Sequence, residues 1–422
     1  MTAVRPHGAT PPGDAAAPGH PAPDGPAAPT GNLGRAADAG HAAYAGHAAD
    51  AGHAADAGRA AGARRAAAAG RAARSTSDHH RRGSAVRKLA TIAAVAALFA
   101  AGGCTTVAEA GGSSSSAGGD CGIVTAALDG DDITPLDPAP TPALPVTVDS
   151  ADGSTVTVTD VSRILAVNLY GSLAEIVFSL GLGGNVVGRD TSTTFPAAAK
   201  LPLVTPQGHD LGAEAVLKLD PTVVIADDSI GPAAVLEQLR RSGIPVVMID
   251  DEQNLEAVPR HIRAVAAALG VPEAGERLVT RVQGEIDAAK ATAPGGKPPR
   301  IAFLYVRGSA GVYLIGGKGA GSDAMIQAIG AVDAGTEIGL EKFRPMTSEG
   351  LINAAPDVIL VMTEGLNSVG GVDGLLELPG VAQTPAGVNR RIVDMADGIL
   401  LNFGARTGRA IQALAEAVYT PC

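Results

Sequence analysis

Residues 211–221 read LGAEAVLKLDP and residues 346–356 read MTSEGLINAAP. Each stretch places a glutamate, Glu214 or Glu349, seven positions ahead of a proline, Pro221 or Pro356. Each proline is followed by an apolar run, TVVIA at 222–226 and DVILV at 357–361. Both copies therefore read as a helix, a proline that stops it, and a buried strand. The same unit repeated at an offset of 135 residues predicts an α/β fold of two lobes facing each other across a cleft. Clefts between lobes are where small ligands bind.

The pattern extends outward from both copies. Ahead of the first copy lie an alternating stretch, TVTVT at 155–159, an apolar strand at 164–168, and a helix opening at Ser172. Ser172 and Glu175 have the S-x-x-E spacing of a capping box, which assigns Glu175 a structural role. GLGG at 181–184 ends that helix, and NVVG at 185–188 reads as the next strand. After the first copy come a helix at 233–242 and a strand at 244–249, completing a β-α-β alternation. Residues 255–292 are helical in pattern, broken only at 270–272 (GVP), and connect the lobes. The second lobe opens with the strand IAFLYV at 301–306 and closes with a strand at 391–394 and a helix at 407–418. The expected boundaries are 146–254 for the N-terminal lobe, 255–298 for the interlobe helix region and 299–422 for the C-terminal lobe.

The N-terminal quarter has a different character. Residues 1–80 are Ala, Gly, Pro, His and Arg with almost no large apolar side chain, so they bury too little surface to offset chain entropy. A six-residue unit drifts through 40–59, and its His41, His47 and His53 are read as a coding repeat without function. Residues 81–103 read as a lipoprotein signal peptide: a basic stretch (RRGSAVRK), an apolar run from Leu89 to Ala101 too short to span a bilayer, and two glycines before Cys104. Ala101 departs from the leucine usual at that place. The distance of this signal from Met1 makes the assigned start suspect, with Val86 as a possible alternative start codon. Cleavage before Cys104 would lipidate that cysteine and leave the protein outside the cytoplasm, anchored to the membrane's outer face. Residues 104–145 (with GGSSSSAGG and PLDPAPTPALP) are then expected to form a flexible tether. Residues 104–422 carry 21 Lys and Arg against 37 Asp and Glu, a net charge of −16, which argues against nucleic acid as a partner. Beyond Cys104 only Cys121 and Cys422 remain, and in an oxidising compartment they are expected to pair and staple the C-terminus to the tether.

Four stretches carry a family resemblance: RILAVNLYGSLAEIVFSLGLGGNVVGRD (163–190), LVTPQGHDLGAEAVLKLDPTVVIAD (203–227), FLYVRGSAGVYLIG (303–316) and GGVDGLLELPGVAQTPAG (370–387). They resemble the solute-binding proteins of bacterial ABC importers that serve haem, siderophores and cobalamin, and most of all the haem-binding lipoproteins of actinobacterial importers. The resemblance covers about residues 146–420. It implies two Rossmann-like lobes joined by a long rigid interlobe helix, a ligand cleft between them, and no enzymatic activity. The implied cargo is ferric haem. The implied partners are an ABC permease with its ATPase and upstream surface haem-binding proteins.

The resemblance also assigns roles to residues. Glu214 and Glu349 match the glutamates that dock onto permease arginines; read singly, a first-turn carboxylate only complements the helix dipole, worth about 0.3–1 kcal/mol. Residues 104–422 contain two histidines. His261 lies in a helical pattern and reads as packing or solvated. His209 stands in a glycine-flanked loop (PQGHDLG) ahead of the first repeat helix and matches a haem-iron ligand. Phe303, Tyr305 and Arg307 alternate along one strand and share a face. The Y-x-R pattern resembles the second axial ligand with its supporting arginine, and a guanidinium beside a phenol favours the anion that ferric iron prefers. Tyr313 and Met362 are further candidates for the pocket wall. Arg344 stands five residues ahead of Glu349, as His209 does ahead of Glu214, and is a candidate partner for a haem propionate.

Three other readings compete. A ferric siderophore or cobalamin would use the same fold, although a chain with no Trp and six Phe offers few aromatic walls. An enzyme would need GGKGAGSDA at 316–324 as a phosphate cradle, yet that run lacks the G-x-x-x-x-G-K-[ST] order of a P-loop. A surface receptor without transport would leave the two glutamates dispensable for uptake.

Overall fold

A computed structural model of the chain describes residues 122–206 and 208–421. The low-complexity segment, the signal peptide, Cys104 and the expected Cys121–Cys422 disulfide lie outside the described residues. The apolar runs behind the two repeat helices are the centres of two sheets. In the first lobe, β4 (Ile164–Val167), β5 (Val223–Ala226) and β6 (Val246–Met248) form a parallel sheet in the order β4-β5-β6. All three are buried along their length, as β-branched runs covered on both faces are. An antiparallel ribbon, β2 (Val146–Asp149) with β3 (Thr155–Val158), precedes this sheet. The expected strand at 185–188 is reduced to one bridge, Ile164 to Val186. Phe178–Leu182 closes with Gly181 at φ 91°, and a short 3-10 turn at Gly183–Asn185 uses up the residues that would have paired.

The connection between the lobes is two helices, Ala257–Ala268 and Pro272–Ala291. The break falls where proline occupies the first turn of the second helix and Gly270 adopts φ 70°. A side chain on Gly270 would lie 2.6 Å from the carbonyl oxygen of Ala143, so the break is also a packing site. The second helix has 20 residues, about 30 Å of rigid rod.

The second lobe carries a seven-stranded sheet ordered β1-β12-β11-β7-β8-β10. Its strands are β1 (Ile123–Ala126), β7 (Arg300–Arg307), β8 (Val312–Gly316), β9 (Val332–Asp333), β10 (Phe343–Pro345), β11 (Val358–Met362) and β12 (Ile392–Met395), with β9 beside β7. β8 runs antiparallel to both β7 and β10, and the other pairs are parallel. The tether expectation fails from β1 onward. Ile123 to Ala126 pair in parallel with Ile392 to Met395, and the Thr125 hydroxyl donates to Asp394 at 2.7 Å. The chain then crosses to the first lobe and the interlobe helices, where the Leu136 amide donates to Ser179 O and the Ala143 amide to Gly270 O.

One hydrophobic cluster runs through both lobes and the connecting helices, including Ile164, Leu173, Ile262, Leu278, Phe303 and Leu414. The lobes are also tied by charge. Glu175, 1% exposed, accepts from the Arg406 backbone N–H at 2.6 Å and from its guanidinium at 2.8 and 2.9 Å; Arg406 is 7% exposed. The capping box expected from Ser172 and Glu175 does not form: Gly171 caps that helix without a side-chain bond. Glu175 is structural through an arginine 231 residues away.

Candidate functional site

Alternation along β7 sets the second-lobe face of the site. Phe303 is buried, and Tyr305 and Arg307 are half-buried on the same face. The Arg307 guanidinium carbon lies 4.6 Å from the Tyr305 ring centroid, a cation–π contact. Phe343 meets Tyr305 edge to face at 5.9 Å and Phe303 at 6.0 Å, which fixes the phenol plane. Arg307 is itself held. Its Nη2 donates to Asp397 Oδ1 at 2.6 Å and its Nη1 to the Val306 carbonyl at 2.9 Å, while Asp397 Oδ2 accepts from the Glu364 amide at 3.0 Å. Neither Asp397 nor Phe343 is marked by any motif in the sequence. We predict that Asp397→Ala, which frees Arg307 from its seat over Tyr305, weakens binding of a ligand engaged by the Tyr305 phenol about 10–100-fold, the cost typical of lost outer-shell support. Absorbance titration checks this, and an unchanged affinity would remove Asp397 from the site.

His209 lies half-buried between Gly208 and the helix Ala213–Lys218. Its Nδ1 is buried without a hydrogen-bond partner among the described residues. Burial holds its imidazole below the ordinary histidine range; the Arg307 guanidinium of the opposite lobe pushes the same way, against Asp210. The first-lobe histidine and the second-lobe Tyr-x-Arg strand thus feel each other across the cleft. A neutral ring nitrogen without a bond to give up is a donor free for a metal. Tyr170, unmarked in the sequence, joins them from the end of β4. Its phenol is pushed up by burial and by Asp227, Asp251 and Tyr305 nearby, so it stays protonated. Beneath it, burial raises Asp190 to about 6 and Asp227 to about 7. Asn168 bridges the two, its backbone N–H on Asp190 at 3.1 Å and its Nδ2 on Asp227 at 2.9 Å.

The register corrects two of the expected pocket residues. Tyr305 pairs with Leu314, whereas Tyr313 pairs with Val306 and Arg344 with Ile315. Directly opposed residues share a face, so Tyr313 and Arg344 project on the side of the sheet away from Tyr305. Tyr313 packs there with Leu304, Val306 and Ile315. Arg344 is exposed on the edge strand β10. Met362, 5% exposed, ends β11 one rung beyond the Leu360 to Phe303 and Val361 to Leu304 pairs, on Tyr305's side. Glu214 and Glu349 are exposed in the first turns of Ala213–Lys218 and Ser348–Ala354, and Thr347 rather than Glu349 caps the second helix. His261 is buried on the interlobe helix with Nε2 2.8 Å from Asp250, away from the cleft set. A separate pocket of about 390 Å³, lined by residues including Val148, Met248, Asp250 and Ala264, shares no residue with this set.

The family profile described as periplasmic binding protein matches residues 167–397. The chain belongs to that family. Among curated relatives, the uncharacterized ABC transporter substrate-binding lipoprotein YvrC of Bacillus subtilis (strain 168) is 28% identical over 286 residues, 66% of this chain and 87% of YvrC. Among solved structures, the heme binding protein HmuT is 40% identical with a TM-score of 0.68, covering 71% of this chain and 98% of HmuT. HmuT has also been solved with one arginine, one histidine or one tyrosine replaced by alanine. The periplasmic heme-binding protein RhuT from Roseiflexus sp. RS-1 is 44% identical with a TM-score of 0.58, covering 61% of this chain and 98% of RhuT. The family's two-lobed α/β architecture with a helical connection is the one described above.

Proposed function

We propose that this protein captures ferric haem between its lobes, with His209 and Tyr305 as the two axial ligands, and delivers it to an ABC permease. The observation that carries the reading is the pairing across the cleft of an unbonded, neutral imidazole with a phenol seated under an arginine. One imidazole and one phenol are too few donors for a bare ion but suit iron already held by four porphyrin nitrogens. In HmuT the replaced tyrosine and arginine stand two positions apart, the spacing of Tyr305 and Arg307, which supports carrying the cargo over. Met362 would line the wall beside Tyr305. A clamp with one ligand from each lobe favours the closed cleft whenever cargo is bound. Haemin titration followed by absorbance tests the reading, with weaker binding and an altered bound spectrum in both His209→Ala and Tyr305→Phe as the expected result. A chain that leaves the haemin spectrum unaltered would instead be tested with ferric siderophores and cobalamin.

Delivery rests on the symmetric pair. Glu214 and Glu349 occupy equivalent, exposed first-turn positions on the two lobes, and neither side chain has a hydrogen-bond or ion-pair partner among the described residues. We read them as one contact each for cationic residues of the permease. The double variant Glu214→Lys, Glu349→Lys is expected to bind haemin like the parent yet fail to support haem-dependent growth of cells lacking the native gene. Growth equal to the parent would show that these carboxylates only serve their helices. Anchoring through Cys104 would hold the protein beside that permease, consistent with the lipoprotein relative YvrC.

A further inference from the structure

The segment 190–194 of the first lobe touches the supports of both proposed iron ligands. It is itself firmly held: the buried Asp190 accepts from the Asn168 amide at 3.1 Å and the Thr193 amide at 2.7 Å, and the Ser192 hydroxyl donates to Leu169 O at 2.5 Å. On one side, Thr191 binds the loop that carries His209. Its amide donates to Thr205 Oγ1 at 2.9 Å and the two hydroxyls lie 3.0 Å apart. The Thr191 hydroxyl has a single proton, with Gly208 O at 2.9 Å and Thr205 O at 3.2 Å as acceptors. The shorter contact is to the residue directly before His209. On the other side, a Cβ on Gly398 would lie 2.6 Å from Thr194 Oγ1 and 2.9 Å from Ser192 O, so the second lobe seats against the segment at this glycine. Gly398 follows Asp397, the carboxylate that holds Arg307 over Tyr305.

We infer that segment 190–194 is an alignment bracket that sets His209 and Tyr305 relative to each other, with Thr191 as the positioning residue for His209 and the Gly398 seat as the positioning contact for Arg307 and Tyr305. This rests on the haem reading above. The interlobe helices, the shared core and the Glu175–Arg406 pair hold the lobes together, but the gap at the ligands themselves must also match the thickness of a metal with two axial bonds. A bracket built on one rigid strand end of the first lobe sets that gap, because buried carboxylate and backbone bonds hold its geometry.

The test compares haemin complexes of the parent, Thr191→Val, Thr191→Ser, Gly398→Ala and His209→Ala. Thr191→Val keeps the shape and removes the hydroxyl; Thr191 is exposed, so the fold is not at stake, and a melting curve documents that. Thr191→Val is expected to lower haemin affinity about threefold to tenfold, the worth of one hydrogen bond, and to shift the spectrum toward the high-spin form of a haem losing its histidine. Thr191→Ser restores both. In the His209→Ala background Thr191→Val has no further effect, since it acts through the histidine. Gly398→Ala, which pushes the segment, disturbs the tyrosine-dependent band. Either variant matching the parent overturns its half of the bracket, and an equal loss from Thr191→Val with or without His209 overturns the positioning role. Failure of the haem reading looks different: the parent spectrum itself is then insensitive to His209→Ala.

Discussion

Arg406→Ala destabilises the protein by about 3–5 kcal/mol, the cost of stranding one partner of a buried ion pair. The Glu175 carboxylate, 1% exposed in the intact protein, loses both guanidinium contacts and keeps only the backbone N–H of residue 406. Gly404 packs against the same carboxylate, since a Cβ there would lie 2.7 Å from Glu175 Oε1. Arg406 also donates to Asp131 O at 2.9 Å and stacks 5.6 Å from the Phe195 ring centroid, joining the crossing segment and the first lobe to the terminal helix. The pair therefore lies where the two lobes and the crossing chain meet. Removing both charges with Glu175→Leu and Arg406→Met is expected to recover much of the loss, because buried pairs contribute less than their rupture costs. Urea unfolding checks both. A loss below about 1 kcal/mol for Arg406→Ala, the range of exposed pairs, would mean that the interlobe tie is solvated.

Tyr305→Phe is expected to reduce haemin affinity by more than the roughly 10–100-fold attached to an outer-shell loss, because it would remove the proposed bond to iron. Phenylalanine keeps the ring between Phe343 and the Arg307 guanidinium, so the change isolates the oxygen. His209→Ala would remove the other proposed donor and leave haem held from one lobe only. The histidine also gives binding a pH dependence with a definite sign. Proton and iron would compete for the same imidazole if His209 is the proposed ligand, and burial with Arg307 lowers that imidazole's affinity for the proton. The His209 contribution is therefore kept at neutral pH, persists below the ordinary histidine value of about 6.5, and is lost as pH falls through the depressed value. In His209→Ala this acid limb disappears, and a parent protein that released haemin at or above pH 6.5 would contradict the buried, neutral imidazole.

Much of this was legible in the sequence because it was local. The duplicated glutamate-to-proline unit located both sheets, and the proline and glycine at 270–272 located the break in the interlobe helix. The alternation of Phe303, Tyr305 and Arg307 needed no partner strand to be read as one face. What the sequence hid was pairing over distance. β1 joins β12 across 269 residues, and four residues behind a glycine- and serine-rich stretch give no sign of a strand until their neighbour is known. The duplication equates Arg344 with His209, but the first copy there is a loop and the second is the edge strand β10. Only its register against β8 shows that it faces away from Tyr305. Asp397 lies 90 residues from Arg307, and Tyr170 looks like any tyrosine after an apolar run. Glu175 shows how a correct local spacing is overridden: a buried arginine competes for the same carboxylate and wins.

The central claim is that one haem iron is gripped from both lobes by His209 and Tyr305. The absorption spectrum of the purified protein saturated with haemin, recorded beside His209→Ala and Tyr305→Phe, tests it most directly. The account predicts a shifted Soret band with a tyrosinate charge-transfer feature in the parent, loss of that feature in Tyr305→Phe, and a change to a five-coordinate spectrum in His209→Ala. Three superimposable spectra would contradict it.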